Sequence, residues 1–135
     1  MEVKVFDLKD IKVQTILGGP IKPVISNGEG GSKNQVVALG IFKPGEGLYP
    51  HFHPQSEEIY FVIKGEGTVF LGEERKPMKI KEGQVIYIPA KTPHCVTNTS
   101  KKELQIAFFL SPGLKDAGYS IANDINTLEE KIVKP

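Results

Sequence analysis

Short apolar runs separated by glycine and proline recur along most of the chain. Runs of this kind, rich in β-branched and aromatic residues, are typical of β-strands. A helical signal is confined to 127–133, where Thr127 and Glu130 have capping-box spacing for one short C-terminal helix. The pattern therefore predicts an all-β protein, a closed barrel or two stacked sheets. The predicted strands cover residues 3–6, 11–17, 21–26, 35–42, 57–64, 68–71, 84–88, 95–98 and 102–110.

The length of 135 residues suits one domain, which we expect to span residues 1–135. The strands predicted within 1–26 either join the barrel or pair with a second subunit, since exposed sheet edges tend to be covered. The glycine-rich stretch 27–33 fits neither a P-loop nor a dinucleotide-binding spacing, and it leads into a strand. We interpret it as a flexible turn.

The chemistry of the chain concentrates at its three histidines, which all lie beside prolines at predicted strand ends. His51 and His53 are two residues apart, a spacing that puts both rings on one face of an extended strand. A carboxylate at the start of the next run would lie beside them if the two runs pair as antiparallel neighbours. His94, at the start of another run, offers a further donor. Imidazoles and a carboxylate on a rigid sheet suit a first-row divalent metal.

Two groups of residues have a distinctive spacing: Gly45, His51, His53, Glu58 and Gly65 form the first, and Gly83, Pro89, His94 and Asn98 form the second. Their spacing resembles the first and second signatures of the cupin superfamily. The turn before His94 departs from the family pattern, with Lys91 where a glycine is usual.

The resemblance implies a double-stranded β-helix, or jelly-roll barrel, with its core from about residue 34 to 113. It also implies metal ligands at His51, His53, Glu58 and His94. The ion would be one divalent transition metal (Mn, Fe, Ni, Co or Zn), with Mn or Fe favoured. An octahedral ion would leave two positions open for substrate or water, as catalytic sites do.

Alternation within strands makes Tyr49 and Tyr60 candidate substrate-binding residues beside the metal. Asn98 shares the parity of His94 and is expected to hold a ligand by hydrogen bonding. No catalytic residue is identified. The favoured function is a metal-dependent enzyme of decarboxylase, dioxygenase or isomerase type acting on a small organic molecule. The alternative is a non-catalytic barrel that binds or senses a small ligand.

An oxalate-decarboxylase-like activity is weakly supported, because arginine suits bidentate carboxylate recognition and the one arginine, Arg75, falls in a predicted hairpin loop. The net charge of +1 gives no reason to expect nucleic acid or a membrane surface as partner. No apolar run reaches the length of a signal peptide or membrane span. One cysteine, Cys95, excludes an internal disulfide. We expect a cytoplasmic homodimer.

Overall fold

Two antiparallel sheets face each other in the computed structural model, which describes residues 3–26, 32 and 34–112. The predicted terminal helix, and all of the glycine-rich stretch except Ser32, lie outside the described residues. The all-β prediction is confirmed. The strands are β1 Gln14–Ile16, β2 Gly19–Ile25, β3 Val36–Phe42, β4 Glu57–Lys64, β5 Glu66–Leu71, β6 Lys76–Lys81, β7 Val85–Ile88, β8 His94–Thr97 and β9 Leu104–Ser111.

The larger sheet has six strands in the order β1-β2-β3-β9-β4-β7, and the smaller has three in the order β6-β5-β8. β1 and β2 therefore extend the same sheet as β3, one of the two alternatives that the sequence left open for the first 26 residues. Among the described residues, no helix is long and apolar enough to cross a bilayer.

Apolar side chains from both sheets fill the space between them. Burial alternates along β4, where Tyr60 and Val62 point inward and are fully buried. Alternation along β9 turns Phe108 and Leu110 inward, which resolves a strand whose apolar residues on both faces left its orientation open in the sequence. The core is one cluster that includes Phe42, Tyr60, Val62, Val69, Ile80, Ile88, Val96, Leu104, Ile106 and Phe108.

The N-terminal strand prediction is wrong for residues 3–6. Val3 and Val5 are 92% exposed, so no packing rewards an extended pairing there. A short 3-10 helix, Leu8–Asp10, follows, and the Asp7 carboxylate caps it by accepting from the Lys9 amide at 3.1 Å. The strand expected over 11–17 shortens to β1.

The segment that carries the first two histidines is not a regular strand. It forms isolated bridges, one of which pairs His51 with His94 through two backbone hydrogen bonds of 3.0 and 2.8 Å. The predicted antiparallel pairing of this segment with β4 is wrong, because β4 pairs with β7 and β9. The histidines and the carboxylate approach one another across the interior from different parts of the fold.

Candidate metal centre

Four side chains meet at one end of the space between the sheets. His51, His53, Glu58 and His94 are each no more than 4% exposed. Their potential ligand atoms all lie within 4.8 Å of one another. Two ligands bound to one ion at 2.0–2.2 Å lie at most about 4.4 Å apart. Adjustments of a few tenths of an ångström would therefore let all four reach one ion.

Each of the four is positioned by a different local feature. Glu58 occupies an inward position of β4, next to the exposed Glu57. His94 is the first residue of β8 and is bridged to His51. The carbonyl of His53 accepts a 2.8 Å hydrogen bond from the Lys91 amide. The segments that carry the three histidines are thus joined by backbone hydrogen bonds.

Lys91 has a backbone conformation that explains why glycine is usual at this position. Its φ is +68°, in the left-handed region that glycine adopts freely and that costs other residues roughly 1–2 kcal/mol. Lys91 thus adopts the glycine-like conformation, and its amide donates to the carbonyl of His53.

Backbone carbonyls orient two of the imidazoles. The Nδ1–H of His51 donates to the carbonyl of Tyr49 at 2.7 Å, and that of His94 donates to the carbonyl of Thr92 at 2.8 Å. A carbonyl can only accept, so Nδ1 carries the proton and, in a neutral ring, Nε2 keeps its lone pair. Such bonds commonly orient metal-binding histidines.

The two oriented histidines share a sequence feature that the sequence analysis did not use. Each follows a proline, Pro50 or Pro93, and bonds to the carbonyl two residues before itself. Proline fixes its own φ near −65°, which restricts the path between the carbonyl and the ring. His53 is followed rather than preceded by proline, and its Nδ1 has no partner among the described residues.

The contacts to Glu58 call for a shared cation. Its Oε1 lies 2.8 Å from Nε2 of His94 and 3.0 Å from Nε2 of His53. The His53 contact lacks hydrogen-bond geometry, and neither ring nitrogen of His53 has a partner in the described structure. Because the proton of a neutral His94 is on Nδ1, its Nε2 would direct a lone pair at a lone pair of Glu58 Oε1. A metal ion, or an additional proton, removes that repulsion, so the residues fit a divalent metal.

Burial and mutual charge shape the ionisation of this centre. Burial, reinforced by the charges of His94 and His53, lowers the pKa of His51 well below its usual value. Burial alone would raise the pKa of Glu58, but His53 and His94 outweigh it and lower the pKa to about 2. Near neutral pH, His51 is therefore a neutral donor and Glu58 an ionised one, as metal ligands must be.

Beside the four residues lies a cavity of about 70 Å³ with mainly apolar walls. His51, His53 and Glu58 face it, and Ser26 is the one other polar residue among its described lining. Its apolar walls include Leu17, Pro23, Val36, Ala38, Phe108 and Leu110.

The two tyrosines lie outside the described lining of this cavity. Tyr49 is 45% exposed and lines a separate surface groove with Arg75 and Cys95. The predicted alternation fails for Tyr49 because the backbone there is not a regular strand. Tyr60 is fully buried, its ring 5.9 Å from that of His94, and its hydroxyl has no partner in the described structure. Burial, with smaller contributions from Glu58 and Cys95, raises the pKa of Tyr60.

Asn98 orders the backbone rather than a histidine, contrary to the sequence-based expectation. Its Nδ2 donates to the carbonyls of Phe42 and Lys102 at 2.9 and 2.7 Å. Its Oδ1 accepts from the amide and hydroxyl of Ser100 at 3.0 and 2.7 Å. The side chain thereby fastens the turn after β8 to the end of β3.

We expect Asn98→Ala to lower the free energy of unfolding by about 2 kcal/mol, because it leaves buried carbonyls unpaired. Metal content should stay at the wild-type level, since Asn98 contacts none of the four residues. Urea unfolding and elemental analysis of the same preparations measure both effects. A stable Asn98→Ala protein that has lost its metal would instead indicate a role in holding a ligand.

Comparison with known proteins supports the assignment of this centre. A family model described as a cupin domain matches residues 38–110. This chain belongs to the cupin family. The match runs from within β3 to within β9 and includes all four residues of the candidate metal centre.

The cupin is similar over more than half of its length to proteins of Streptomyces cyaneus and Arabidopsis thaliana. It is 31% identical over 112 residues to a protein of Streptomyces cyaneus named polyketide synthase CurC, a match that covers 83% of the chain and 71% of the relative. It is 34% identical over 88 residues to auxin-binding protein 1 of Arabidopsis thaliana, which covers 60% of the chain and 44% of that relative.

A solved structure has a similar fold. A cupin family protein of Methanocaldococcus jannaschii with a double-stranded β-helix fold superposes with a TM-score of 0.67 at 20% identity, over 84% of this chain and 94% of the other. The predicted double-stranded β-helix is confirmed.

Proposed function

We propose that this cupin is a metal-dependent enzyme that acts on a small, largely apolar organic molecule. The observation that carries the proposal is the placement of four buried donors beside a cavity whose other walls are mainly apolar. Apolar pockets with a few convergent polar groups are the usual form of small-molecule sites. The reaction would be of decarboxylase, dioxygenase or isomerase type.

His51, His53, Glu58 and His94 would hold the ion, with Mn or Fe favoured. When bound, such an ion supplies a Lewis acid that polarises a substrate oxygen. Tyr49 and Thr92 contribute backbone carbonyls that keep two imidazoles in one orientation. The chain's own part is thus to present four fixed donors and to exclude bulk water from them.

The cavity wall favours one class of ligand. Leu17, Phe108 and Leu110 present hydrocarbon surface, and no lysine or arginine belongs to the described lining. A small dianion such as oxalate would find compensating charge only at the metal, whereas an apolar ring with one or two oxygens would bury its carbon surface. The cavity volume of about 70 Å³ suits a fragment smaller than a drug-sized ligand.

The relatives support small organic molecules and leave two kinds of function. The relative named polyketide synthase CurC favours an enzyme. The relative named auxin-binding protein 1 favours the second candidate, a barrel that binds a ligand without turning it over. The same cavity serves both, because tight apolar burial contributes to binding in either case.

Metal-loaded protein incubated with catechol-like ring compounds, sugars and small acids such as oxalate tests the proposal. We expect conversion of a ring compound, detected by product mass and by oxygen uptake where oxygen is consumed, and none in Glu58→Gln. Glu57→Gln, altered at the neighbouring exposed position, is the matched control and should retain activity. Stoichiometric binding of an unchanged ring compound would favour the binding barrel. Turnover of oxalate alone would contradict the apolar substrate class.

The roles of Tyr49 and Tyr60 in substrate binding stay predictions. Tyr49 lies at a groove outside the cavity, and Tyr60, whose ring is 5.9 Å from that of His94, is not among the described lining residues of the cavity, so direct contact with substrate would need a ligand that extends beyond the cavity or a shift of its wall. A cytoplasmic location and assembly as a homodimer are part of the same proposal.

A further inference from the structure

The hairpin turn between β1 and β2 contains a residue that its backbone conformation does not favour. Ile16 pairs with Gly19, which leaves Leu17 and Gly18 as a two-residue turn. Both have positive φ, +51° and +80°, as the two central residues of a type I′ turn do. Asparagine followed by glycine is the usual choice there, because a bulky side chain is strained in the left-handed region. Turn stability therefore does not explain the leucine.

The Leu17 side chain belongs to the wall of the metal cavity. It lines the cavity together with His51, His53 and Glu58. Its carbonyl accepts a 2.7 Å hydrogen bond from the amide of Tyr49, whose own carbonyl accepts from Nδ1 of His51. The turn is thus fixed beside one of the candidate ligands. Strained residues that persist in a fold cluster at sites that bind ligands, and Leu17 occupies such a position.

The other side of the same turn faces the surface groove that contains Tyr49. Gly18 lines this groove. The Tyr49 ring covers Gly18 so closely that a methyl group added there would lie 2.5 Å from Cζ. Leu48 lines both the groove and the metal cavity. The turn and Leu48 therefore separate the two spaces.

The wall of the cavity is less firmly held at Leu17 than in its strands. Among the apolar residues of the described lining, only Leu17 and Leu48 lie outside strands. Leu48 is 9% exposed, and its amide donates to the carbonyl of Val96 at 2.9 Å. Leu17 is only partly buried, and it follows β1, an edge strand of three residues that pairs with β2 alone. Segments of this kind open locally at lower free energy than core strands.

The volume of the cavity makes this difference important for a ring-shaped ligand. A cavity of roughly 150 Å³ holds one benzene ring, whereas the cavity beside the candidate ligands has a volume of about 70 Å³. A ring that binds inside it must therefore displace part of the wall. The side chain of Leu17 is the part that can move without breaking a strand.

We propose that Leu17 is the specificity-determining residue of the metal cavity and sets the size of the ring that reaches the metal. This inference rests on the function proposed above and adds the residue that selects the ligand. A single ring takes the space that the Leu17 side chain vacates when it turns toward the groove. A fused second ring does not fit, so a smaller residue at position 17 removes the limit.

Catechol and the corresponding ortho-diol of naphthalene test this size limit, because they offer a metal the same two oxygens and differ by one fused ring. Calorimetric titration of zinc-loaded protein gives both dissociation constants. The wild type should favour catechol. Leu17→Gly keeps the positive φ without strain and should shift the ratio of the constants about 10-fold or more toward the larger diol. Leu8→Gly, the same change at an exposed residue outside the described lining, should keep the wild-type ratio.

Leu17→Asn separates the size of the side chain from its polarity. Asparagine has a shape similar to that of leucine and is favoured in this turn. Both affinities should fall, because an amide replaces apolar wall, while their ratio stays close to that of the wild type. In the zinc-loaded wild type, the methyl resonances of Leu17 should shift when catechol binds, and those of Leu8 should not.

The outcomes distinguish this inference from the function on which it rests. A merely structural role of Leu17 would lower both affinities together in Leu17→Gly and leave their ratio unchanged. That result, or a wild type that favours the larger diol, would overturn the size limit and leave the metal-dependent function standing. If the zinc-loaded wild type bound neither diol, the ring-shaped ligand class would be contradicted, and the role of Leu17 with it.

Discussion

Glu58→Gln is expected to reduce bound metal from about one ion per chain to a small fraction of that. The amide is a weaker donor and carries no charge to offset a dication, and the four candidate ligands lie within 4.8 Å of one another. Even changes outside the ligand set typically weaken metal binding about 10–100-fold, so loss of a ligand should cost roughly 100-fold or more. Elemental analysis of protein purified without chelator measures the content.

Glu57→Gln is the matched control, because it makes the same chemical change one residue away on the opposite face of β4. Glu57 is exposed and bonded to the Tyr87 hydroxyl, so its replacement should leave metal content unchanged. His51→Ala and His94→Ala should resemble Glu58→Gln, since both rings belong to the same cluster. Full occupancy in both histidine variants would defeat the ligand assignment.

The sequence predicted strands correctly where the period-two pattern of apolar residues matches their packing in the fold. β4 and β9 were predicted close to their observed bounds, because β-branched and aromatic residues run through both strands and every second residue packs in the core. The strand at residues 3–6 was wrong, because Val3 and Val5 have strand propensity but nothing to pack against. Propensity alone does not maintain an isolated strand in water.

The membership of the cluster followed from sequence, but its surroundings did not. His51 and His53 both face the interior although their segment pairs with the start of β8 and not with β4. Alternation then failed for Tyr49, since strand parity holds only where the backbone is regular. Asn98 had the expected parity, yet its side-chain amide donates to the backbone carbonyls of Phe42 and Lys102 and not to a histidine.

Strand parity could not predict the orientation of the imidazole rings either. That orientation depends on hydrogen bonds from His51 and His94 to carbonyls two residues earlier, which strand periodicity does not describe. The prolines at positions 50 and 93 were the available local signal.

Acidification of the metal-free protein from pH 6.5 to 4.5 should lower the free energy of unfolding through His51, by up to about 1.4 kcal/mol per pH unit while the folded ring stays neutral. Burial and the neighbouring histidines keep the pKa of His51 well below 6.5 in the folded state. The unfolded chain therefore binds a proton in this interval that the folded chain does not. Stability is greatest above pH 6.5 and falls as pH falls.

Below pH 4.5 a second group should add to the loss. The unfolded Glu58 carboxyl takes up a proton near 4.5, whereas in the folded state its pKa is lowered to about 2, so stability falls further between these values. Urea unfolding of chelator-treated protein at fixed protein concentration measures the pH dependence. His51→Asn, uncharged throughout, should remove the His51 contribution between pH 6.5 and 4.5. A wild-type stability that stays level across that interval would show that His51 is not held neutral by burial, and would remove the basis for regarding it as a preformed neutral metal ligand.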